Sequence, residues 1–363
     1  SGGEISANSA ADGGGVYNNG TFTMGGGSIG VNQVTDNGCG VYNNQTFTMN
    51  GGEISDNEAS SQSYGGGVYN GKTFTMNGGE ISANRAPAGG GVYSVDTFNM
   101  TGGSITGNEA DHAGGGVYNN VSFTLSGGSI TGNETDSNGG GVYNNESGTF
   151  TMSGGEISAN RADEGGGVYN GNTFTLSSGS ITGNEADNGG GVYNTDSFTV
   201  TGSPVVTGND GDNVYLPNGK VIEINNQLTA GASIGVTTED TPTTEAPVAI
   251  TGTNNADYSK YFFSDNALYL TYNDAGSNEV KLKPGHKHAV DADCAPTGEG
   301  LVGFTSISQG DANNNYDQND GKYVLESGSY YLTQDLDLKG PVWIGGGADE
   351  AVVNLCLNGH VDK

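Results

Sequence analysis

The sequence predicts an all-β fold, a right-handed parallel β-helix (a solenoid) with about 25 residues per coil. Three recurring words predict it, and all three keep the same phase. A Val-Tyr dipeptide returns at intervals of 24 to 27 residues, a T-F-T-M-like tetrapeptide returns between its copies, and a G-G-S/E-I-S/T pattern follows that tetrapeptide. Three short apolar words per period, joined by Gly and Asn, are typical of a β-solenoid.

Each word has a predicted facing, which one coil illustrates. In the tetrapeptide, Phe123 and Leu125 alternate with hydroxyl residues, so both are expected to face the core. Ile130 lies between two hydroxyl residues and is expected inside. In the Val-Tyr word we place Val117 inside and Tyr118 outside. Parallel pairing of successive coils with right-handed crossovers completes the predicted architecture.

Two columns of Asn accompany the apolar words. One follows the Ile word: Asn8, Asn32, Asn57, Asn84, Asn108, Asn133, Asn160, Asn184 and Asn209. The other follows Val-Tyr: Asn18, Asn43, Asn70, Asn119, Asn144, Asn170 and Asn194, with Ser94 as the exception. Asn tolerates left-handed turn conformations, and stacked amides bond from coil to coil, so both columns are predicted to be structural ladders.

The regular repeat ends before the chain does. We assign residues 1–213 to the coils and residues 214–282 to the last coils and a cap, with a Pro/Thr-rich loop, residues 237–247, projecting from it. Composition changes at Lys283, and strand words return after Tyr330, so residues 283–363 are predicted to start a second β-helix module. The chain opens within a repeat, and we expect it to be part of a longer protein.

Composition and charge exclude several classes of function. The net charge is −30, with only Lys72, Arg85 and Arg161 as cations in the first 213 residues, so nucleic-acid binding is not expected. No apolar run reaches the ~18 residues of a membrane span. The three Cys are too few for a disulfide framework. An acidic, soluble solenoid suits an extracellular location.

The coil words also carry a family resemblance. The pattern G-G-G-V-Y-N, T-F-T-M-S-G-G-x-I-S-x-N resembles the large repeat-bearing surface proteins of gut and rumen Gram-positive bacteria. The segments Val214-Tyr215-Leu216 and Leu355-Cys356-Leu357-Asn358 are similar to theirs too. A more distant similarity is to the chlamydial polymorphic outer-membrane adhesins. The resemblance implies a β-helix fold, a cell-surface location and adhesin-like or structural roles, in which the chain would carry further modules of the same kind.

Three functions are compatible with these features. We expect a non-enzymatic extracellular stalk or adhesin segment. The first alternative is a polysaccharide-processing β-helix, a lyase or a hydrolase, for which Asp163 with Glu164 and Asp111 with His112 are candidate pairs in turn loops. The lesser alternative is ice binding through outward T-x-T rows, which are Thr21/Thr23, Thr46/Thr48, Thr73/Thr75, Thr149/Thr151 and Thr173/Thr175.

The Tyr of each Val-Tyr word is a candidate contact residue. Glycans or surface proteins of a host or neighbouring cell are the expected partners of this strip. A self-stacked structural ladder is the alternative interpretation. The strip comprises Tyr17, Tyr42, Tyr69, Tyr93, Tyr118, Tyr143, Tyr169 and Tyr193.

No catalytic residue, cofactor or metal is predicted, although two groups of side chains have metal-ligating chemistry. An acidic turn column could collect Ca²⁺, but solvated charge is preferred because Arg85 and Arg161 interrupt it. A group of three His and two Cys could bind zinc, but its spacing matches no compact zinc finger. For Cys294 and Cys356, the two interpretations are a disulfide and two free thiols. The acidic column is Glu58, Glu109, Glu134 and Glu185, and the zinc group is His286, His288, Cys294, Cys356 and His360.

Overall fold

A computed structural model describes residues 2–252, 256–266 and 268–284, and farther on the strands 304–307, 316–317, 322–325, 328–332, 342–344 and 353–356. The chain divides into two compact units, Ser1–Lys283 and Pro284–Lys363. The first unit is a right-handed solenoid of parallel strands with coils about 25 residues long, as predicted. The described residues contain no α-helix, and their one 3₁₀ turn is Ser259–Tyr261.

The Phe and Ile words form the largest sheet. In three early coils one ten-residue strand covers both words, and these strands are Thr21–Gly30, Thr46–Ser55 and Thr73–Ser82. The Phe ladder continues through Thr97–Met100, Ser122–Leu125, Thr149–Met152, Thr173–Leu176, Ser197–Gly202 and Ile222–Leu228. The Ile ladder has Glu4–Ser6, Ser104–Thr106, Ser129–Thr131, Glu156–Ser158, Ser180–Thr182, Val205–Thr207, Ser233–Thr238 and Phe262–Ser264.

The Val-Tyr words form a second ladder, the Val ladder. Its strands pair in register, Val on Val and Tyr on Tyr, from coil to coil. They are Val16–Asn18, Val41–Asn43, Val68–Asn70, Val92–Ser94, Val117–Asn119, Val142–Asn144, Val168–Asn170, Val192–Asn194 and Val214–Leu216.

A further ladder was not predicted. It follows the Ile-side Asn and turns a small residue inward, such as Ala86 or Ala110, each 1% exposed. Its strands are Ser9–Ala10, Gln33–Val34, Glu58–Ala59, Arg85–Ala88, Glu109–Ala113 and Glu134–Thr135. Isolated bridges extend it through Arg161, Glu185 and Asp210. We call it the Ala ladder, and it occupies residues that the sequence analysis assigned to turn loops.

The core is a set of stacked side chains along the solenoid. In the coil of Val117, the side chains of Val117, Phe123, Leu125 and Ile130 are all 0% exposed, which confirms their predicted facing. Phe rings of successive coils stack with centroids 4.7–4.9 Å apart. Full burial of such a side chain stabilises the fold by roughly 1.5–3 kcal/mol, so a narrow column suffices despite the low apolar content.

The corner before the Ile-side Asn has a left-handed backbone in every coil. The left-handed residue is the one before the Asn, and not the Asn as predicted; its φ lies between +52° and +66°. It is Gly in four coils, and in the other five it is Ala7, Val31, Asp56, Ala83 or Ala159. Non-Gly residues pay roughly 1–2 kcal/mol in this region, so the corner geometry is imposed by the surrounding coil.

The Asn column that follows the Ile word is a continuous hydrogen-bond ladder, as predicted. We call it the Ile-side Asn ladder. Each Nδ2 donates to the Oδ1 of the Asn one coil on, at 2.8–3.0 Å. The same Oδ1 also accepts from a backbone N–H, as that of Asn133 does from Asn108 at 3.0 Å. From Asn32 onward each Nδ2 also donates backward, as that of Asn133 does to the Ile105 carbonyl at 3.0 Å.

The other Asn column, the Tyr-side Asn ladder, has the same direction but contains one break. Asn18, Asn43, Asn119, Asn144 and Asn170 each donate to the next Oδ1 at 2.7–2.8 Å. At the break, Asn70 donates to the Ser94 hydroxyl at 3.0 Å. Ser94 donates nothing to the following coil, and the buried Oδ1 of Asn119 accepts no hydrogen bond from the described residues.

The solenoid closes through Asp265 and an antiparallel cap. Asn209 donates to Asn213, whose Nδ2 and backbone N–H both donate to the Asp265 carboxylate, at 2.6 and 2.8 Å. The cap sheet contains the strands Val248–Ala249, Tyr269–Asp274 and Glu279–Pro284. The predicted loop 237–247 is shorter than expected, because its first two residues belong to the strand Ser233–Thr238.

The second unit contains described strands in two groups. Phe304–Ile307, Gly328–Leu332 and Val353–Cys356 pair in parallel. Lys322–Leu325 pairs in parallel with Val342–Ile344 and antiparallel with Tyr316–Asp317. That this unit starts a second β-helix module stays a prediction.

Candidate functional site

The predicted contact strip is one continuous column of stacked rings, which we call the Tyr ladder. The eight predicted tyrosines are joined by a ninth, Tyr215, at the C-terminal end. Neighbouring centroids are 4.5–5.6 Å apart and the ring planes differ by 4–30°. The strict pairing of Tyr on Tyr in the Val ladder sets this spacing.

Stacking decides which part of each ring a partner can reach. Inside the column both faces of a ring are covered by its neighbours, so only the ring edges and the hydroxyl groups face outward. These parallel stacked pairs are close to the spacings that aromatic pairs prefer. The tyrosines therefore form a self-stacked ladder, as in the alternative interpretation. A contact role for the edges and hydroxyls of the same tyrosines stays a prediction.

Burial keeps these phenols neutral. Desolvation, with neighbouring phenols and carboxylates acting in the same direction, raises the pKa of Tyr143 and of Tyr193 to about 12. Desolvation also raises the pKa of Tyr93 and Tyr118, whose rings stack with the centroids 4.5 Å apart. Asn145 Nδ2 donates to the Tyr118 hydroxyl at 2.8 Å. The outer edge of the ladder is thus a row of uncharged hydroxyl groups at physiological pH.

The acidic column lies on the Ala ladder and not in turns, which corrects the sequence interpretation. Its residues stack in register, and Arg85 lies between Glu58 and Glu109. Arg161 likewise lies between Glu134 and Glu185 and forms ion pairs with both. Each Arg therefore separates two glutamates that lie two coils apart, whereas Glu109 and Glu134 pair directly. Among the described residues, no three His, Cys, Asp or Glu side chains are grouped so as to hold a metal ion.

The two candidate acid pairs are placed differently from expectation. Asp111 and His112 lie in the strand Glu109–Ala113 instead of a loop, and Asp111 accepts a hydrogen bond from Arg85 at 2.8 Å. Burial raises the pKa of Glu164, and the charge of Asp163 raises it further, while a hydrogen bond from Tyr193 opposes this shift. A glycosidase places two carboxyls about 5–9.5 Å apart on either side of a sugar. Asp163 lies in a bend, and Glu164, the next residue, forms parallel bridges with Asn138 and Asn188.

The outward Thr rows are in register. In the first row each residue pairs with the one in the next coil, and from Thr73 onward these are Thr97, Ser122, Thr149, Thr173 and Ser197. Two residues along, the second row runs from Thr75 through Asn99 to Thr124, Thr151, Thr175 and Thr199. The result is a flat surface of hydroxyl groups in which Asn99 is a substitution.

A cavity lies at the C-terminal end of the coils. Its volume is about 480 Å³, within the roughly 300–1,000 Å³ of ligand pockets. Pro217, Lys220, Asp240 and Pro247 contribute to its lining. Lys220 is already paired with Asp196 at 3.7 Å. No motif in the sequence indicated this cavity, because loops that lack a common period form it.

The structure describes only some of the cysteines and histidines for which the sequence suggested a role. Cys39 is buried as a free thiol, and burial raises its pKa to about 12, which makes it a poor nucleophile. Four members of the zinc group, His286, His288, Cys294 and His360, lie outside the described residues. Only the backbone of Cys356 is described, in a strand. The zinc and disulfide interpretations thus lie outside the described part of the chain.

Comparison with protein-family models, with curated proteins and with solved structures yields no match to this chain. The resemblance to bacterial surface repeats stays a prediction. Over the residues that the structure describes, no helix is long and apolar enough to cross a bilayer. The fold, the ladders and their surfaces are thus the observations from which a function is inferred.

Proposed function

We propose that this chain is a non-enzymatic stalk or adhesin segment of an extracellular bacterial surface protein. The observation that carries the proposal is the continuous parallel pairing of successive coils from Glu4 to Leu216. Every coil is joined to the next by backbone ladders, a Phe column and at least one amide ladder. Such a solenoid is a stiff spacer that lengthens by ~4.8 Å with each coil.

Charge and surface regularity support the same function. The net charge of −30 keeps solenoids of this kind apart from one another in solution. The sides present rows of Thr hydroxyls and Tyr edges, and an acidic column that Arg85 and Arg161 interrupt. Adhesion through such rows could be distributed over many coils, whereas catalysis needs one assembled site.

A coil-deletion series tests the proposal. Removing residues 168–191 joins Gly167 to Val192 and deletes one full period, so the coils on either side can pair as before. We expect the full-length bacterial protein to remain displayed, with its reach shortened by ~4.8 Å per deleted coil and its adhesion otherwise retained. Removing residues 168–179 deletes half a period and serves as the control that breaks the ladders. Loss of all adhesion with the single in-register deletion contradicts the stalk.

The rival function, polysaccharide processing, rests on the raised pKa of Glu164 beside Asp163. It is tested by incubating the chain with a panel of polysaccharides and assaying new chain ends. We expect none. Depolymerisation that Glu164→Gln or Asp163→Asn abolishes would establish the enzyme and end the stalk proposal.

Ice binding is favoured by one observation, the register of the two Thr rows. Regular hydroxyls on a flat sheet could order water. The measurement is thermal hysteresis, compared between the native chain and Thr151→Lys, which places a charge in the middle of the second row. Hysteresis that the substitution removes would support this function.

A further inference from the structure

Functional positions in a repeat protein are found where one coil departs from the others. Beside the Tyr ladder runs a row made of the residue before each Gly triplet. Its members are Asp12, Asn37, Tyr64, Ala88, Ala113, Asn138, Glu164 and Asn188, and bridges from Tyr64 onward keep them in register. Tyr64 is the only aromatic member of this row.

The Tyr64 ring leaves its row and joins the Tyr ladder from the side. Its centroid is 4.8 Å from that of Tyr93, at an angle of 21°. The next residue in the row is Ala88, whose small side chain leaves room for the ring. The Tyr69 to Tyr93 distance is 5.6 Å, the largest in the Tyr ladder, at this same place. Two rings, Tyr64 and Tyr69, therefore stack on Tyr93.

Tyr64 is held in place and yet exposed. Its backbone N–H donates to Asn37 Oδ1 at 3.0 Å. The preceding loop is fastened by the buried Ser63, whose hydroxyl lies 2.6 Å from that of Ser60 and 3.0 Å from the Thr35 carbonyl. The Tyr64 side chain nevertheless remains 41% exposed. Among the described rings it stacks on Tyr93 alone, so it is pre-organised for contact with a partner.

Polar groups lie along the Tyr ladder beyond this ring. The Tyr118 ring stacks on Tyr93 with the centroids 4.5 Å apart. Asn145 donates to Tyr118 and also to Asn120, at 2.8 and 2.9 Å. The surface thus offers an aromatic platform beside a cluster of uncharged donors and acceptors.

We propose that Tyr64, with the Tyr93 and Tyr118 hydroxyls, binds a neutral pyranose unit of a glycan. The proposal deepens the adhesin function and rests on it. The electron-rich face of a phenol attracts the polarised C–H groups on one face of a sugar ring, while the hydroxyls bond its edge. Tyr supplies this contact area at low conformational-entropy cost. The net charge of −30 repels sialylated and uronic-acid glycans, which selects neutral ones.

The test is a glycan array of neutral and acidic oligosaccharides, probed with the whole chain and three variants. Tyr64→Ala removes the platform, and Tyr64→Phe keeps the ring without its hydroxyl. Tyr17→Ala is the matched control, because Tyr17 is 53% exposed and stacks only on Tyr42. We expect neutral glycans to bind, Tyr64→Ala to weaken that binding about tenfold, and the other two variants to bind like the native chain.

Three results would overturn the site. They are undiminished binding by Tyr64→Ala, equal loss with Tyr17→Ala, and preference for acidic glycans or no neutral glycan bound at all. Unchanged thermal unfolding of Tyr64→Ala establishes that any loss is local. The stalk function is judged separately by the coil-deletion series, so failure of the glycan site leaves that series to decide it.

Discussion

The two Asn ladders run through the same coils in the same direction, yet only one of them is intact. On the Ile side, each described Oδ1 from Asn32 to Asn209 accepts both an amide and a backbone N–H from the coil before, and the Oδ1 of Asn213 accepts both from Asn209. On the Tyr side, Ser94 interrupts the column and the Asn119 Oδ1 is left without a donor. The difference shows that the fold tolerates a break on one side when the other side is continuous.

The break is also asymmetric, because the ladder is directional. Ser94 can accept, so Asn70 loses nothing. Ser94 does not donate to the next coil, so the loss falls on the coil that follows. The Ile-side ladder avoids the equivalent loss at its C-terminal end by closing on Asp265, a carboxylate that only needs to accept. Direction therefore determines which substitutions each position tolerates.

The largest expected effect is a break in the intact ladder. Asn133→Ala removes the donor to Asn160 Oδ1 and to the Ile105 carbonyl, and it removes the acceptor for both Asn108 groups. Because these groups are buried, we expect a loss of about 3 kcal/mol or more in the free energy of unfolding. Urea denaturation measures it. A loss below about 1 kcal/mol would show that the Ile-side ladder is dispensable.

A second break on the Tyr side should cost less. Asn144→Ser copies the natural Ser94: the hydroxyl can still accept from Asn119, but the Asn170 Oδ1 loses its donor. We expect a destabilisation of about 1–3 kcal/mol, the cost of one buried unsatisfied acceptor and its lost partners. The matched comparison is Asn133→Ala in the same denaturation series. If Asn144→Ser is the more harmful of the two, our ranking of the ladders is wrong.

Repair of the natural break should stabilise the chain. Ser94→Asn restores a donor to the Asn119 Oδ1 in a geometry that neighbouring coils already accommodate. We expect a gain of about 1 kcal/mol, seen as a higher denaturation midpoint with an unchanged slope. Ser94→Ala is the control, since alanine can neither accept from Asn70 nor donate to Asn119. A gain equal to zero would mean that Asn119 is satisfied in another way.

The sequence predicts most of this fold because periodicity is its strongest signal. The facing of Val117, Phe123 and Ile130 follows from alternation within each word, and the ladders follow from Asn at fixed positions. The sequence does not reveal the Ala ladder, because a single inward Ala next to Glu or Arg gives no recurring apolar pattern. The left-handed residue before each Asn was missed for a related reason, since five of the nine are not Gly. The stacking of Tyr64 on Tyr93 could not be predicted, because the two residues belong to different rows and only the structure shows that their rings meet.

The carboxylate that closes the Ile-side ladder gives a pH dependence. Desolvation raises the pKa of Asp265, and hydrogen bonds from Asn213 and Thr237 only partly oppose this shift. The folded state therefore holds the proton more tightly than the unfolded state, whose pKa is about 3.9. Its contribution to stability is greatest below that value and decreases as the pH rises through the folded pKa. The measurement is urea denaturation of the native chain and of Asp265→Asn, repeated from a pH below about 3.9 up to neutral pH. If the free energies of unfolding of the two chains change with pH in parallel, the assignment to Asp265 is contradicted.

The smallest effect concerns the corners that present the Ile-side Asn residues. Ala159 has φ +54°, whereas Gly107 has φ +61° at the equivalent corner, with open space where a Cβ would lie. We expect Gly107→Ala to destabilise by about 1 kcal/mol, since the backbone strain is the only new cost. Ala159→Gly should be neutral to slightly stabilising, because relief of strain is offset by the greater entropy of Gly in the unfolded chain. Both are measured in one denaturation series. If Gly107→Ala has no effect, the amide ladder itself holds the corner, and the contrast between the two Asn ladders is even larger than their hydrogen bonds indicate.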